Sequence, residues 1–269
     1  MHPILFQLGP ITLHTYGLFV ASGFLLGIAW AARVARKEGF IDPQVVYDAS
    51  FWLIISALVF SRFAYVIVEY RNYISNPLGV FKIWEGGLVF YGGVIGACGT
   101  VWWLARKYRF DVWRFADLAA PGVAIGHAVG RLGCFFAGCC YGMETAVPWA
   151  VTFNDIHSIA PIGIPLHPTQ LYDALNEIIV FSIITIMRPR CKFTGQVWWT
   201  WVGLYAVGRA TVETFRGDPR GAWFGGAVST SQALAVVAVA FAVFVYFKNR
   251  RAFTSDDNGG KKRNPKRSA

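Results

Sequence analysis

Long apolar stretches recur along this chain at residues 16–36, 48–69, 88–105, 113–133, 171–187, 195–213 and 231–247. About 20 apolar residues are needed to cross roughly 30 Å of hydrocarbon. In that medium every backbone N–H and C=O must be paired within the segment, so such stretches are helices. The chain is therefore expected to be an all-α polytopic membrane protein with about seven transmembrane helices. Its 269 residues are 55% hydrophobic and only 15% charged, which leaves no room for a large soluble domain.

The formal charge of +10 is split into short clusters between the apolar runs. A nucleic-acid partner would call for a continuous basic face, so none is expected. Arg33, Arg36 and Lys37, then Arg106, Lys107, Arg109 and Arg114, then Arg188, Arg190 and Lys192, then Lys248, Arg250 and Arg251 fall on alternate connections. Basic residues stay on the cytoplasmic side, which puts the N-terminus outside and the C-terminus inside. Residues 138–170, poor in Lys and Arg and holding Pro148, Pro161, Pro165 and Pro168, then form a small extracytoplasmic cap on a bundle over 1–247. Residues 248–269 read as a basic, disordered tail, with Lys261 to Arg267 able to meet anionic headgroups. The N-terminus lacks the pattern of a cleaved signal peptide and is expected in the mature protein.

Arg62, Arg131, Arg209 and Glu213 interrupt these apolar runs. An arginine at the bilayer centre costs about 2.5–3.5 kcal/mol on the lenient insertion scale, so each should face protein or a wet cavity. Arg62 has two readings, a helix lock or a functional cation. Arg131 lies in Gly130-Arg131-Leu132-Gly133, where glycines admit close approach, and Arg209 follows Gly208 with Tyr205 one turn earlier. Both lie toward one membrane face, which suits a phosphate diester, because the guanidinium fork matches phosphate oxygens and stays charged. Glu213, four residues after Arg209, shares its helical face and can offset part of its cost.

Other polar groups collect at the same level. Tyr16 and Tyr91 open the first and third spans, either as interfacial belt residues or as site residues. His127, one turn before Arg131, is either a packed core side chain or a partner of that arginine. His167-Pro168-Thr169-Gln170 is either a helix start capped by Thr169 or part of a site. Cys134, Cys139 and Cys140 cluster, but adjacent cysteines are poorly placed to share one tetrahedral ion, so neither a metal nor an organic cofactor is expected.

The order and spacing of several segments carry a resemblance over nearly the whole chain. They are Gly9-Pro10 with His14-Thr15-Tyr16-Gly17, Trp84-Glu85-Gly86-Gly87, Tyr91-Gly92-Gly93-Val94-Ile95-Gly96, Gly130-Arg131-Leu132-Gly133-Cys134-Phe135, His167-Pro168-Thr169-Gln170-Leu171-Tyr172, and Tyr205 through Arg209 and Glu213 to Arg216. Together they resemble the bacterial prolipoprotein diacylglyceryl transferases. The resemblance implies an inner-membrane enzyme that moves the diacylglyceryl group of phosphatidylglycerol onto the lipobox cysteine of a prolipoprotein signal peptide. A thioether forms and glycerol phosphate leaves. It implies catalytic roles for Arg131, Arg209 and Tyr91, and substrate contacts from Arg131, Tyr16, Glu213, His167 and Gly142.

Two positions depart from the family pattern. Tyr91 stands where many relatives have histidine, and Cys134 where many have asparagine. With an unperturbed pKa near 10, tyrosine is a poor base at neutral pH, so a histidine-base mechanism does not carry over. A transporter or channel would spread its arginines across both faces and a midplane site, and a lipid-binding scaffold would show no turnover.

Overall fold

The computed structural model describes residues 2–9, 11–74, 77–82, 86–218, 222–223 and 228–260. Pro10, Trp84, Glu85 and the basic run Lys261 to Arg267 lie outside the described residues. Each of the seven apolar stretches is helical: α1 (Thr15–Glu38), α2 (Pro43–Val68), α4 (Phe90–Tyr108), α5 (Val112–Ala137), α6 (Thr169–Met187), α7 (Gln196–Glu213) and α8 (Thr230–Gly260). A short helix α3 (Tyr70–Ile74) and a 3-10 segment (Pro77–Phe81) lie between α2 and α4. Three two-stranded antiparallel ribbons complete the inventory: β1 (Ile4–Leu8) with β2 (Ile11–His14), β3 (Val151–Thr152) with β4 (Pro165–Leu166), and β5 (Ala222–Trp223) with β6 (Val228–Ser229). Among the described residues, α1, α2, α5, α6 extended to Arg190, and α8 as far as Asn249 are long and apolar enough to cross a membrane. Helices α4 and α7 are shorter, at 19 and 18 residues, and the latter carries Arg209 and Glu213.

The chain divides into two compact units, one of Met1–Trp30 with Ala116–Ala269 and one of Ala31–Phe115. In the second unit α2 and α4 pack together. Asp42 caps α2 by accepting from the Gln44 N–H at 2.8 Å, and Pro43 supplies a first-turn residue with no N–H to satisfy. Gly92 and Gly93 let α4 approach closely, since a Cβ there would meet the Phe60 carbonyl oxygen at 2.4 Å and Ser61 Oγ at 2.5 Å.

Arg62 takes the helix-lock reading. It is buried, its Nε donates to the Val80 carbonyl (2.9 Å), Nη1 to Gly86 (2.6 Å) and Gly87 (3.2 Å), and Nη2 to Gly79 (2.7 Å). The guanidinium thus fastens the connection into α4. Gly86 and Gly87 take φ of 84° and 73°, a backbone region that favours glycine, and a Cβ at Gly87 would strike the Tyr65 ring.

In the first unit the contact between α1 and α5 is made by two glycine pairs. A Cβ on Gly23 would lie 2.5 Å from the Gly126 carbonyl oxygen, and one on Gly27 would lie 2.5 Å from that of Gly122. Both helices therefore carry glycines four residues apart on the facing side, the small-residue spacing that lets backbones touch where lipid offers no hydrophobic drive. Alternating with these glycines along α5, Ala120 and Ala124 join Val180 and Ile184 of α6 and Val197 of α7 in a buried apolar cluster. Asp117 ties their ends together, accepting from the N–H groups of Gly195 (2.7 Å) and Trp198 (2.9 Å).

Residues 138–168 are an ordered mini-fold. Phe153, Ala160 and Leu166 form its core with Tyr141, Val151 and Ile164 packed against them. Pairing between β3 and β4 and the bridges Glu144 to Leu166 and Phe153 to Ile162 close it.

Gly126→Val is expected to lower stability by about 1–3 kcal/mol through backbone overpacking. Gly130→Ala, whose Cβ would meet nothing within 4 Å, should be tolerated by the fold. Thermal unfolding of the two variants in detergent micelles checks the contrast, and equal midpoints would refute the glycine contact.

Candidate active site

Helices α5, α6 and α7 each bring a charged side chain to one place in the first unit. Arg131 of α5 directs Nε toward Asp173 Oδ2 of α6 at 3.4 Å. Asp173 Oδ2 is also 3.7 Å from Nη1 of Arg216, just beyond α7. Arg216 Nε lies 3.9 Å from Glu213 Oε2, and that oxygen pairs with Arg209 Nη2 at 2.5 Å. The chain Arg131, Asp173, Arg216, Glu213, Arg209 thus alternates in sign and joins both arginines singled out in the sequence. Arg209 and Glu213 are four residues apart, so one helical face presents both.

The network is buried, with the Arg216 and Asp173 side chains only 2% and 3% exposed. Charges in such a place need partners and directed hydrogen bonds. Asp218 supplies both to Arg216, accepting from Nε at 2.8 Å and Nη2 at 3.0 Å. Burial works against the charged form of Arg216, but Asp218 and the Cys140 sulfur outweigh it and hold the guanidinium even more firmly charged than usual. Arg209 Nη1 and Arg216 Nη1 are both buried with no hydrogen-bond partner among the described residues, and only the latter has a second carboxylate, Asp173, within 4 Å. A buried guanidinium donor without an acceptor is a place for an anionic oxygen.

His127 is a partner of Arg131 rather than a packed core side chain. Its Nε2 accepts from Arg131 Nε at 3.1 Å, and its Nδ1 lies 2.6 Å from Glu177 Oε1. With Nε2 accepting, the proton sits on Nδ1 and is donated to the fully buried Glu177. Glu177 also accepts from Trp201 Nε1 at 3.4 Å, and the Tyr205 ring covers His127 edge to face at 5.4 Å. The pair fixes the direction of the Arg131 fork.

The turn at 138–142 abuts this network. Arg131 Nη1 donates to Cys140 Sγ at 3.8 Å. Thr169 Oγ1 donates to the Cys140 carbonyl at 2.7 Å, and Gln170 Nε2 to that of Cys139 at 2.8 Å. Thr169 therefore does not cap α6. Pro168 occupies the cap position without a side-chain hydrogen bond, and the Thr169 hydroxyl is spent on the turn. Gly142 donates its N–H to the His167 carbonyl at 3.0 Å, while Met143 N–H reaches the Phe215 carbonyl at 2.8 Å. Three backbone segments meet at Gly142, where a Cβ would lie 2.5–2.7 Å from His167 and Phe215 atoms. The His167 ring packs on Phe215 at 5.2 Å, with Nδ1 3.1 Å from the Tyr172 hydroxyl.

The adjacent Cys139 and Cys140 do not diverge. Cys140 takes φ of 61°, which turns the two side chains to one side, and the Sγ atoms of Cys134, Cys139 and Cys140 all lie within 4.8 Å of one another. All three are thiols rather than disulfides. Hydrogen bonds from the Cys134 and Cys139 thiols, with the Arg216 guanidinium, draw the Cys140 thiol below its ordinary range, whereas Cys139 is pushed up by the thiols beside it.

Tyr16 stands in the first turn of α1, with its backbone against Gly133. Its half-exposed ring is within electrostatic reach of Arg131 and the three thiols. Tyr91 belongs to the second unit, at the second position of α4, where its exposed ring packs edge-on against Phe90 at 5.7 Å. Arg131, Arg209, Glu213, Tyr16, His167 and Gly142 are thus in the first unit, and Tyr91 is not.

The model of the family described as "Prolipoprotein diacylglyceryl transferase" matches residues 3–248. The chain belongs to that family. A relative from Clostridium tetani named phosphatidylglycerol–prolipoprotein diacylglyceryl transferase is 33% identical over 246 residues, which are 91% of this chain and 97% of that protein. Proteins of the same name from Synechococcus elongatus and Geobacter sulfurreducens are 32% and 34% identical, covering 90% and 80% of this chain and 85% and 82% of their own lengths. Family membership and the five apolar helices together make this a multi-pass membrane protein.

Asp173 and Glu177 are the network members that the sequence reading passed over, whereas His127 was already placed beside Arg131. The available signal was two carboxylates four residues apart within an apolar run, which a helix stacks on one face.

Asp173→Asn is expected to uncouple Arg131 from Arg216. Removing one partner of a buried ion pair costs about 3–5 kcal/mol. The same variant should cut turnover on the order of 10²-fold, the scale of misplacing a group at the reacting centre. Unfolding in micelles and initial rates on one preparation check both, and an unchanged rate would detach Asp173 from the site.

Proposed function

We propose that the chain transfers the diacylglyceryl group of phosphatidylglycerol to the thiol of the lipobox cysteine in a prolipoprotein signal peptide. A carbon–sulfur bond forms, the carbon–oxygen bond to phosphate breaks, and glycerol phosphate departs. The observation that carries this reading is the unpartnered Arg209 Nη1 at one end of an ion chain whose other end is Arg131. A phosphate diester supplies the missing acceptor. As the carbon–oxygen bond breaks, negative charge grows on the phosphate, and the pre-placed guanidinium donors stabilise that charge without reorganising.

In this reading Arg131 and Arg209 hold the phosphate, and Glu213 and His127 act through them by fixing their directions. Gly142 and His167 shape the backbone junction beside the site, and Tyr16 reaches the substrates from the first turn of α1. Tyr91 positions a substrate or relays a proton. The enzyme sits in a bacterial inner membrane with seven crossings, α4 and α7 among them, an extracytoplasmic N-terminus and a cytoplasmic C-terminus. Residues 138–170 then lie as a cap on the outer side, and 248–269 form the cytoplasmic end. The positive-inside distribution of Lys and Arg supports that orientation.

The test incubates purified protein with phosphatidylglycerol and a lipobox peptide and follows thioether product by mass. Wild type should form it, and a peptide with serine for cysteine should not. Arg131→Ala should abolish turnover while the protein still inserts. Full activity in Tyr91→Phe would eliminate the proton relay and leave the positioning role. Absence of product with wild type would sink the transferase reading.

A further inference from the structure

The three thiols beside Arg131 are more than packing. Three of the chain's five cysteines are gathered around one point. The gathering is built by the backbone. Gly138 and Cys140 both take positive φ, at 73° and 61°, and the carbonyls of Cys139 and Cys140 are held by Gln170 and Thr169. Cys134 arrives from the last turns of α5. Zinc binds thiolate sulfur at about 2.3 Å in a tetrahedral shell, so its sulfurs stand about 3.8 Å apart. The three Sγ atoms, all within 4.8 Å of one another, stand close to that spacing.

Charge favours the same occupant. Three thiolates around a divalent cation carry one net negative charge, and guanidinium groups are already beside them. Arg131 Nη1 lies 3.8 Å from Cys140 Sγ, and Arg216 also reaches that sulfur. Among the described residues the cluster holds three candidate ligands and no fourth. A closed structural zinc site uses four protein ligands, whereas a site with three keeps a position for a water or a substrate.

The reaction needs a thiolate as nucleophile. A free thiol near pKa 8.5 supplies only a small fraction at neutral pH, and a coordinating thiol is deprotonated outright. Because Arg131 touches both the thiol cluster and the ion chain, a thiolate held there would lie next to the phosphate it displaces. We propose that Cys134, Cys139 and Cys140 form a three-thiolate site for one soft divalent cation of the zinc class, whose remaining position receives the acceptor thiol of the substrate. Its second half rests on the transferase reading above. Coordination releases the acceptor thiol's proton to water. The sulfur lone pair attacks the glycerol carbon, the carbon–oxygen bond breaks with its electron pair going to the phosphate, and the resulting phosphate monoester takes up a proton. The thioether sulfur, neutral and a weaker ligand, then leaves the cation.

Cobalt(II) is the probe, titrated into the reduced, full-length protein in detergent. One ion per chain should bind with an intense sulfur-to-metal charge-transfer band. Each of Cys134→Ser, Cys139→Ser and Cys140→Ser should lose the band, whereas Cys98→Ser and Cys191→Ser should keep it. Cys140→His, which retains a ligand, should keep binding with a shifted band, separating loss of a ligand from loss of fold. A lipobox peptide should then intensify the band, and the same peptide with serine for cysteine should not. Chelator treatment should slow thioether formation on the order of 10²-fold, the scale of losing an activating group, with zinc restoring it.

Absence of stoichiometric cobalt binding would overturn the proposal, as would a disulfide among the three that persists under reductant. A serine variant of all three that retained the wild-type rate would overturn the acceptor-thiol half. In each of these cases thioether product from wild type leaves the transferase reading standing. Cobalt binding with no product from wild type under any condition would defeat the transferase reading and the acceptor half together, while leaving the cation site.

Discussion

Asp173 is the hinge of the charged network, because one carboxylate oxygen faces Arg131 at 3.4 Å and Arg216 at 3.7 Å. Two guanidinium groups brought this close repel one another. At an effective dielectric of about 20, a pair of unit charges 4 Å apart interacts by about 4 kcal/mol. Asp173 reverses that sign on one side of Arg216, and Glu213 repeats the device on the other. The arrangement keeps three arginines charged and directed in a buried place. It also leaves Arg209 Nη1 without an acceptor, while Arg216 Nη1 still faces Asp173 at 3.7 Å. An electrostatic site prepared in this way need not reorganise when charge develops on a leaving phosphate.

The 138–168 segment meets this network through its backbone as well as through the Cys140 sulfur beside Arg131. Gly142 is where it meets both the start of α6 and the end of α7, through hydrogen bonds to His167 and from Met143 to Phe215. A neighbouring contact runs from Gly217 N–H to the Tyr141 carbonyl at 3.2 Å. These bonds fix the segment that carries Arg216, just after α7, relative to α6, which carries Asp173. Glycine at 142 is therefore a requirement of close backbone approach, and it is bridged directly to the backbone of Arg216. Thr169 and Gln170 extend the same clamp to the cysteine turn, so the first turn of α6 is polar for the sake of its neighbour and not for its own termination.

Hydropathy made the seven long helices legible as helices, five of them long and apolar enough to cross a membrane. The placement of Arg131, Arg209 and Glu213 in apolar runs likewise announced a charged site. What sequence left open was decided by acceptors it does not display. Arg62 and Arg131 look alike as cations in spans, yet the first gives its donors to the carbonyls of residues 79, 80, 86 and 87, and the second turns to Asp173 and His127. Asp173 and Glu177 were hidden by the apolar run around them, and their four-residue spacing gains meaning only when a helix stacks them. The glycines at 23 and 27 and at 122 and 126 are unremarkable singly, since their significance is that two separate helices carry the same spacing. The sequence argument against adjacent cysteines assumed an ordinary backbone, and the positive φ of Cys140 removes that assumption.

The substitution of tyrosine for the histidine common in relatives bears on how the thiol is activated. Tyr91 is exposed on α4, where its ring packs edge-on against Phe90. Cations in the first unit can favour a thiolate by proximity, but Arg131 and Arg209 are already committed to carboxylates, and the phosphate competes for what remains. A bound cation escapes that competition, because it acts on the sulfur directly and leaves the guanidinium donors to the phosphate. The two anions of the reaction, thiolate and leaving phosphate, would then be served by different positive centres on either side of Arg131. That division of labour explains why thiols rather than further arginines stand next to Arg131, and why the turn carrying them is held so firmly by α6.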